Sequence, residues 1–150
     1  MRWSLSPFVV PALTFVLAAL IGFSTGTSWG TMAILYPLIL PSSWMLCQEQ
    51  GLPLDATMPL FYNVVASVLA GAVMGDHCSP ISDTTIMSSL SSGCNHLQHV
   101  RTQMPYALTV GGVALFVGVL PVAFGLPSWA AFLFAFAVLG LVVRFFGKKV

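Results

Sequence analysis

The sequence predicts an all-α integral membrane protein with about five hydrophobic helical segments and two polar stretches at which helices break. Composition is the first reason: 57% of the 150 residues are hydrophobic and 6% are charged, against about 25% charged in ordinary soluble domains. The second is the shell a soluble core would need. Five basic and four acidic side chains cannot clothe a core of this length, whereas a bilayer lets apolar helix faces point outward. The third is the recurrence of long apolar runs between short polar ones.

The first run, Pro7 to Phe23, crosses most of a hydrocarbon core about 30 Å thick at about 1.5 Å per residue. Arg2 ahead of it and Ala18, Ala19 and Gly22 near its end also fit a cleaved secretory signal, but no A-x-A site follows and the next segments are membranous. A second run, Met32 to Cys47, carries Pro37 and Pro41 and is expected to be kinked or broken. Gln48 to Asp55 reads as a solvated turn.

In the third run, Ala56 to Gly75, the small residues Ser67, Gly71 and Gly75 recur every four positions, a spacing that lets another helix backbone approach closely. Asn63 in the same run is either a hydrogen-bonded bundle residue or a ligand. A long polar region from Asp76 to Gln103 follows, and then two runs, Tyr106 to Leu126 and Ser128 to Phe146, joined at Pro127. No soluble domain or linker interrupts residues 1–150, which read as a single membrane domain.

Charge orients the segments. Lys148, Lys149 and Arg101 flank the last two runs and place both flanks, and with them the C-terminus, in the cytoplasm by the positive-inside rule. Glu49 and Asp55 then fall outside, and Arg2 lands on the wrong side. A net charge of +1 leaves no footprint for nucleic acid. Cys47, Cys78 and Cys94 match neither a disulfide framework nor a CxxC pair and read as reduced packing residues.

The chemistry concentrates in Gly75-Asp76-His77-Cys78-Ser79-Pro80-Ile81-Ser82-Asp83-Thr84-Thr85. Seven residues separate Asp76 from Asp83, enough to align them on one face of a continuous helix, but Pro80 interrupts the backbone between them. Helix, break, helix is the expected local structure. Freed carbonyls and the oxygens of Asp76, Ser79, Ser82, Asp83, Thr84 and Thr85 suit a hard cation such as sodium. Protons compete for the same carboxylate oxygens, the simplest route to exchange. Ser82 or Asp83 could instead cap a helix beginning at Thr84, although a serine would serve for capping and a carboxylate near hydrocarbon is costly.

A second polar stretch, Gly26-Thr27-Ser28-Trp29-Gly30-Thr31, has the glycine and hydroxyl density of an unwound membrane segment, with Thr27 and Ser28 as further ion ligands. It reads equally as a loop with caps at Thr27 or Ser28. His77 is a candidate proton relay. A zinc site at His77 and Cys78 lacks a second ligand pair, and a hydrolase using Cys78 or Ser79 with His77 fails because neighbouring residues point in different directions. His96 and His99, three apart, fit an interfacial helix. No enzyme chemistry and no resident cofactor are expected.

These two stretches, with His99-Val100-Arg101-Thr102-Gln103-Met104-Pro105-Tyr106-Ala107, resemble the NhaC family of sodium/proton antiporters along essentially the whole chain, matching the C-terminal portion of a member. The resemblance implies sodium/proton exchange, or sodium-linked exchange of small organic acids, in an inverted-repeat transporter with broken helices around a midplane site. Five segments make one half of such a transporter. The chain is therefore expected to act with an N-terminal half or as a homo-oligomer, or to be a non-transporting membrane subunit packed against a partner.

Overall fold

A computed structural model describes residues 6–147; Arg2, Lys148 and Lys149, used above for orientation, lie outside the described residues. Every regular element among them is helical. A short 3-10 turn, Pro7–Val9, leads into α1 (Val10–Thr25), followed by α2 (Ser28–Glu49), α3 (Leu54–Cys78), α4 (Asp83–Ser91) and α5 (His96–Val113). A π-helical segment, Ala114–Val119, continues α5 into α6 (Leu120–Ala123), and α7 (Ser128–Phe146) closes the chain. Five stretches are long and apolar enough to cross a membrane: Pro7–Thr25, Ser28–Glu49, Leu54–Cys78, His96–Ala123 and Ser128–Phe145.

The expected interruptions occur at both polar stretches, between Thr25 and Ser28 and between Cys78 and Asp83. The break allowed for at Pro37 or Pro41 does not occur, because α2 runs through both prolines. Each proline removes one N–H donor, while a full break would strand several backbone groups where water cannot reach them. The polar region also ends sooner than hydropathy suggests. Helix α5 begins at His96, with the Asn95 side chain accepting from the Gln98 N–H at 3.2 Å and Pro105 inside the helix.

Helices α1 and α3 pack backbone to backbone. A Cβ on Gly71 would overlap the Phe15 carbonyl oxygen, one on Gly75 would overlap that of Ala19, and one on Gly22 would lie 2.7 Å from that of Ala72. The small-residue face of α3 thus receives α1, and the pairing of Phe15 with Gly71 and Ala19 with Gly75 makes the two helices parallel. Their C-terminal ends therefore lie together. Helix α2 returns antiparallel, with the Tyr36 hydroxyl donating to the Val65 carbonyl at 3.3 Å. Ala18, Met32, Leu35, Val68 and Ala72 form the core of this three-helix unit.

Asn63, buried in α3, donates through Nδ2 to the Val119 carbonyl at 3.1 Å. A π turn loosens the regular i→i−4 ladder, and the amide takes up a carbonyl at its end. Cys47 and Cys78 are buried, Cys94 is exposed, and all three are free thiols.

Candidate ion site

Both interruptions meet at one end of the α1–α3 pair. Helix α1 stops at Gly26, whose φ of 67° is left-handed and whose N–H reaches the Gly22 carbonyl at 2.9 Å. Only glycine fits there, since a Cβ would also sit 2.8 Å from the Ile81 carbonyl oxygen of the second interruption. Thr27 then turns extended and caps α2, its Oγ1 accepting from the Gly30 N–H at 3.4 Å. The Thr31 hydroxyl donates to the Thr27 carbonyl at 2.9 Å and lies 3.2 Å from Thr25 Oγ1. The capping reading therefore holds at Thr27.

Asp76 lies in the last turn of α3 and is 8% exposed. Its Oδ2 accepts the Ser28 N–H at 3.2 Å. Ser28 is the first residue of α2, so the carboxylate faces the positive end of a 22-residue helix. The C-terminal ends of α1 and α3, where carbonyls lack helical partners, adjoin the same corner. Asp76 Oδ1 is buried and has no hydrogen-bond partner among the described residues; the one other such side-chain oxygen is Thr85 Oγ1.

Past α3 the chain makes a tight turn. The Ser79 N–H donates to the Asp76 carbonyl at 3.0 Å, and Ser79 Oγ accepts from the Ile81 N–H at 3.3 Å. Ser79 and Ser82 are fully buried. Ser82 does not cap α4 through its side chain; its Oγ pairs with Thr84 Oγ1 at 2.8 Å, and the helix starts at Asp83 rather than Thr84. Asp83 is exposed, as are Thr84 and His77. No hydrogen bond or ion pair joins Asp83 to another side chain among the described residues. The two carboxylates thus occupy different surroundings, because the turn at Ser79 to Ser82 removes the continuous helix that a seven-residue spacing needs.

Two residues of α5 reach this turn, which the sequence reading did not assign to it. Gln103 Nε2 donates to the His77 carbonyl at 2.9 Å, and His96 bridges the Pro80 carbonyl (Nε2, 2.6 Å) and Ser89 Oγ (Nδ1, 3.0 Å). Their seven-residue spacing was the available signal. No three His, Cys, Asp or Glu side chains converge among the described residues.

The chain's residues 1–126 match the model of the Na+/H+ antiporter family. The chain belongs to this family. Antiporter family membership, with five helices long and apolar enough to cross a membrane, makes it a multi-pass membrane protein. Among its relatives, an uncharacterised protein of Haemophilus influenzae is 44% identical over 140 residues, 93% of this chain and 24% of that protein. The arginine/ornithine antiporter ArcD of Halobacterium salinarum is 34% identical over 77% of this chain and 22% of its own length. The malate-2H(+)/Na(+)-lactate antiporter of Bacillus subtilis is 32% identical over 65% and 19%. The chain thus spans less than a quarter of the length of these relatives. No solved structure matches it.

Proposed function

We propose that the chain carries the ion site of an NhaC-type sodium/proton antiporter, as the C-terminal portion of a longer transporter. Asp76 is the principal carrier, alternating between a sodium ion and a proton. Asp83 serves as a second carboxylate at the approach to the site. Ser79, Ser82, Thr84, Thr85, Thr27 and Ser28 supply ligand oxygens, and exposed His77 relays protons. An N-terminal half or a second copy of the chain completes the transporter in the cell membrane, with the C-terminus in the cytoplasm.

The observation that carries this reading is the buried, unpaired Asp76 Oδ1 beside Oδ2 held by the Ser28 N–H. A buried carboxylate oxygen with no donor is costly unless a cation or proton takes it. One oxygen anchored and one free is a geometry that holds the carboxylate still while its load changes. Backbone carbonyls at the adjoining helix ends suit the cation, and the α2 N-terminus steadies the anion when the load departs.

The test is sodium-dependent proton movement in everted membrane vesicles, read with a pH-sensitive dye. Asp76→Asn abolishes exchange, and Asp83→Asn lowers it less because Asp83 is exposed. Full exchange in Asp76→Asn would overturn the assignment and leave a non-transporting subunit as the better description. The names of the Halobacterium and Bacillus relatives favour one second reading, in which a small organic solute is exchanged at the same site. Proton movement that requires added malate, lactate, arginine or ornithine as well as sodium would select it.

A further inference from the structure

We infer that His96 and Gln103 are positioning residues for the ion site, a two-point clamp from α5 on the backbone that separates Asp76 from Asp83. The inference rests on the proposed sodium site at Asp76. Residues seven apart on a helix lie on one face, two turns from each other. From that face Gln103 holds the His77 carbonyl and His96 holds the Pro80 carbonyl.

The two carbonyls bracket the departure of the chain from α3. His77 O is one of the last α3 carbonyls, which have no helical partner, and Gln103 supplies the missing donor. Pro80 O lies inside the turn, directly before Ile81, whose own carbonyl abuts Gly26. With Pro80 O drawn toward α5, the neighbouring peptide units are fixed as well, since each peptide plane is rigid. The clamp thereby sets which carbonyls and hydroxyls of the turn face Asp76.

His96 is suited to this work by its proton positions. A carbonyl only accepts, so Nε2 carries the proton given to Pro80 O. Nδ1 lies 3.0 Å from the buried Ser89 hydroxyl, whose single proton goes either to Nδ1 or to the Ile86 carbonyl 2.8 Å away. One imidazole therefore ties the turn, α4 and the start of α5 together, without any ligand contact of its own.

Cys78, buried and two residues after Asp76, offers a readout. In a Cys47→Ser, Cys94→Ser background, membrane vesicles are treated with a small maleimide and the labelling rate of Cys78 is followed against sodium concentration. Sodium at Asp76 orders the adjacent backbone and slows labelling. His96→Ala and Gln103→Ala each raise the sodium concentration for half-protection about tenfold, the scale of one lost hydrogen bond. His96→Gln, whose amide keeps a donor for Pro80 O, restores most of it.

An unchanged half-protection in both alanine variants, with protection abolished in Asp76→Asn, would overturn the clamp and leave the ion site standing. A shift in His96→Ala that His96→Gln does not relieve would also overturn it, reducing His96 to a packing residue. Protection that survives Asp76→Asn would remove the sodium site itself, and the clamp with it. Gln103→Ala keeps the test decisive if His96→Ala does not fold, because its bond lies at an exposed edge.

Discussion

The α1–α3 unit and helix α7 are both apolar, membrane-length and rich in small or aromatic residues, yet they use those residues in opposite ways. In the first, glycines bring backbones into contact: Gly71 and Gly75 of α3 leave no room for a Cβ against α1. In the second, a Cβ on Gly140 would meet nothing within 4 Å, and Phe132, Phe134 and Phe136 are exposed, while Ala131 is buried. Hydropathy treats the two alike. What separates them is whether a helix finds its partner inside the chain. The unit that does so holds Asp76, the proposed carrier, on rigid elements, while α7 leaves most of its surface uncovered by the rest of the chain.

The sharpest way to break the comparison is Gly75→Ala. The added methyl overlaps the Ala19 carbonyl and crowds the Phe23 N–H, and neither is the end of a flexible side chain, so the helices must separate. Overpacking of this kind costs about 1–3 kcal/mol, and here the upper end is expected. Thermal unfolding in detergent checks it. The loss should carry sodium protection with it, because Gly75 adjoins Asp76. An unaltered unfolding temperature would mean that α1 and α3 are not in contact.

Much of this was legible before any coordinates. Ser67, Gly71 and Gly75 at four-residue spacing identified the face that α1 covers, and the five apolar runs marked the spans. Pro80 marked the break between the carboxylates. The unequal burial of Asp76 and Asp83 was not legible, because it depends on how the turn from Ser79 to Ser82 redirects the chain and on the arrival of the Ser28 N–H from 48 residues away. Nor was the continuity of α5 with the membrane span: His96 and His99 read as an interfacial helix of their own, and hydropathy registers the span only from Tyr106. His96 finds Pro80 sixteen residues back, a pairing created by tertiary packing. Of the kink or break expected at Pro37 and Pro41, the break does not occur, because proline rules drawn from water undercount the cost of unpaired backbone in lipid.

Asn63→Leu probes the seam between the two regions. The change removes the donor to Val119 O at the end of the π segment, where α3 meets the α5–α6 wall. Hydrogen bonds between membrane helices average about 0.6 kcal/mol with a maximum of about 1.7 kcal/mol, so a loss of about 1 kcal/mol is expected, smaller than for Gly75→Ala. Equilibrium unfolding in mixed micelles measures it. A loss as large as that of Gly75→Ala would make the π segment part of the rigid unit rather than of the wall.

Gly140→Ala sharpens the comparison most, for it is the same chemical change as Gly75→Ala with the opposite expected sign. Nothing lies near the added methyl, and alanine restricts the unfolded backbone where glycine does not. Relief of the glycine penalty inside a helix is worth about 0.5–1 kcal/mol, so a small rise in unfolding temperature is expected when the chain is measured alone. In the native membrane assembly the sign itself is the result. A rise there leaves this stretch of α7 to lipid, which adapts to a methyl group; a fall means that another helix backbone packs against Gly140 as closely as α1 packs against Gly75.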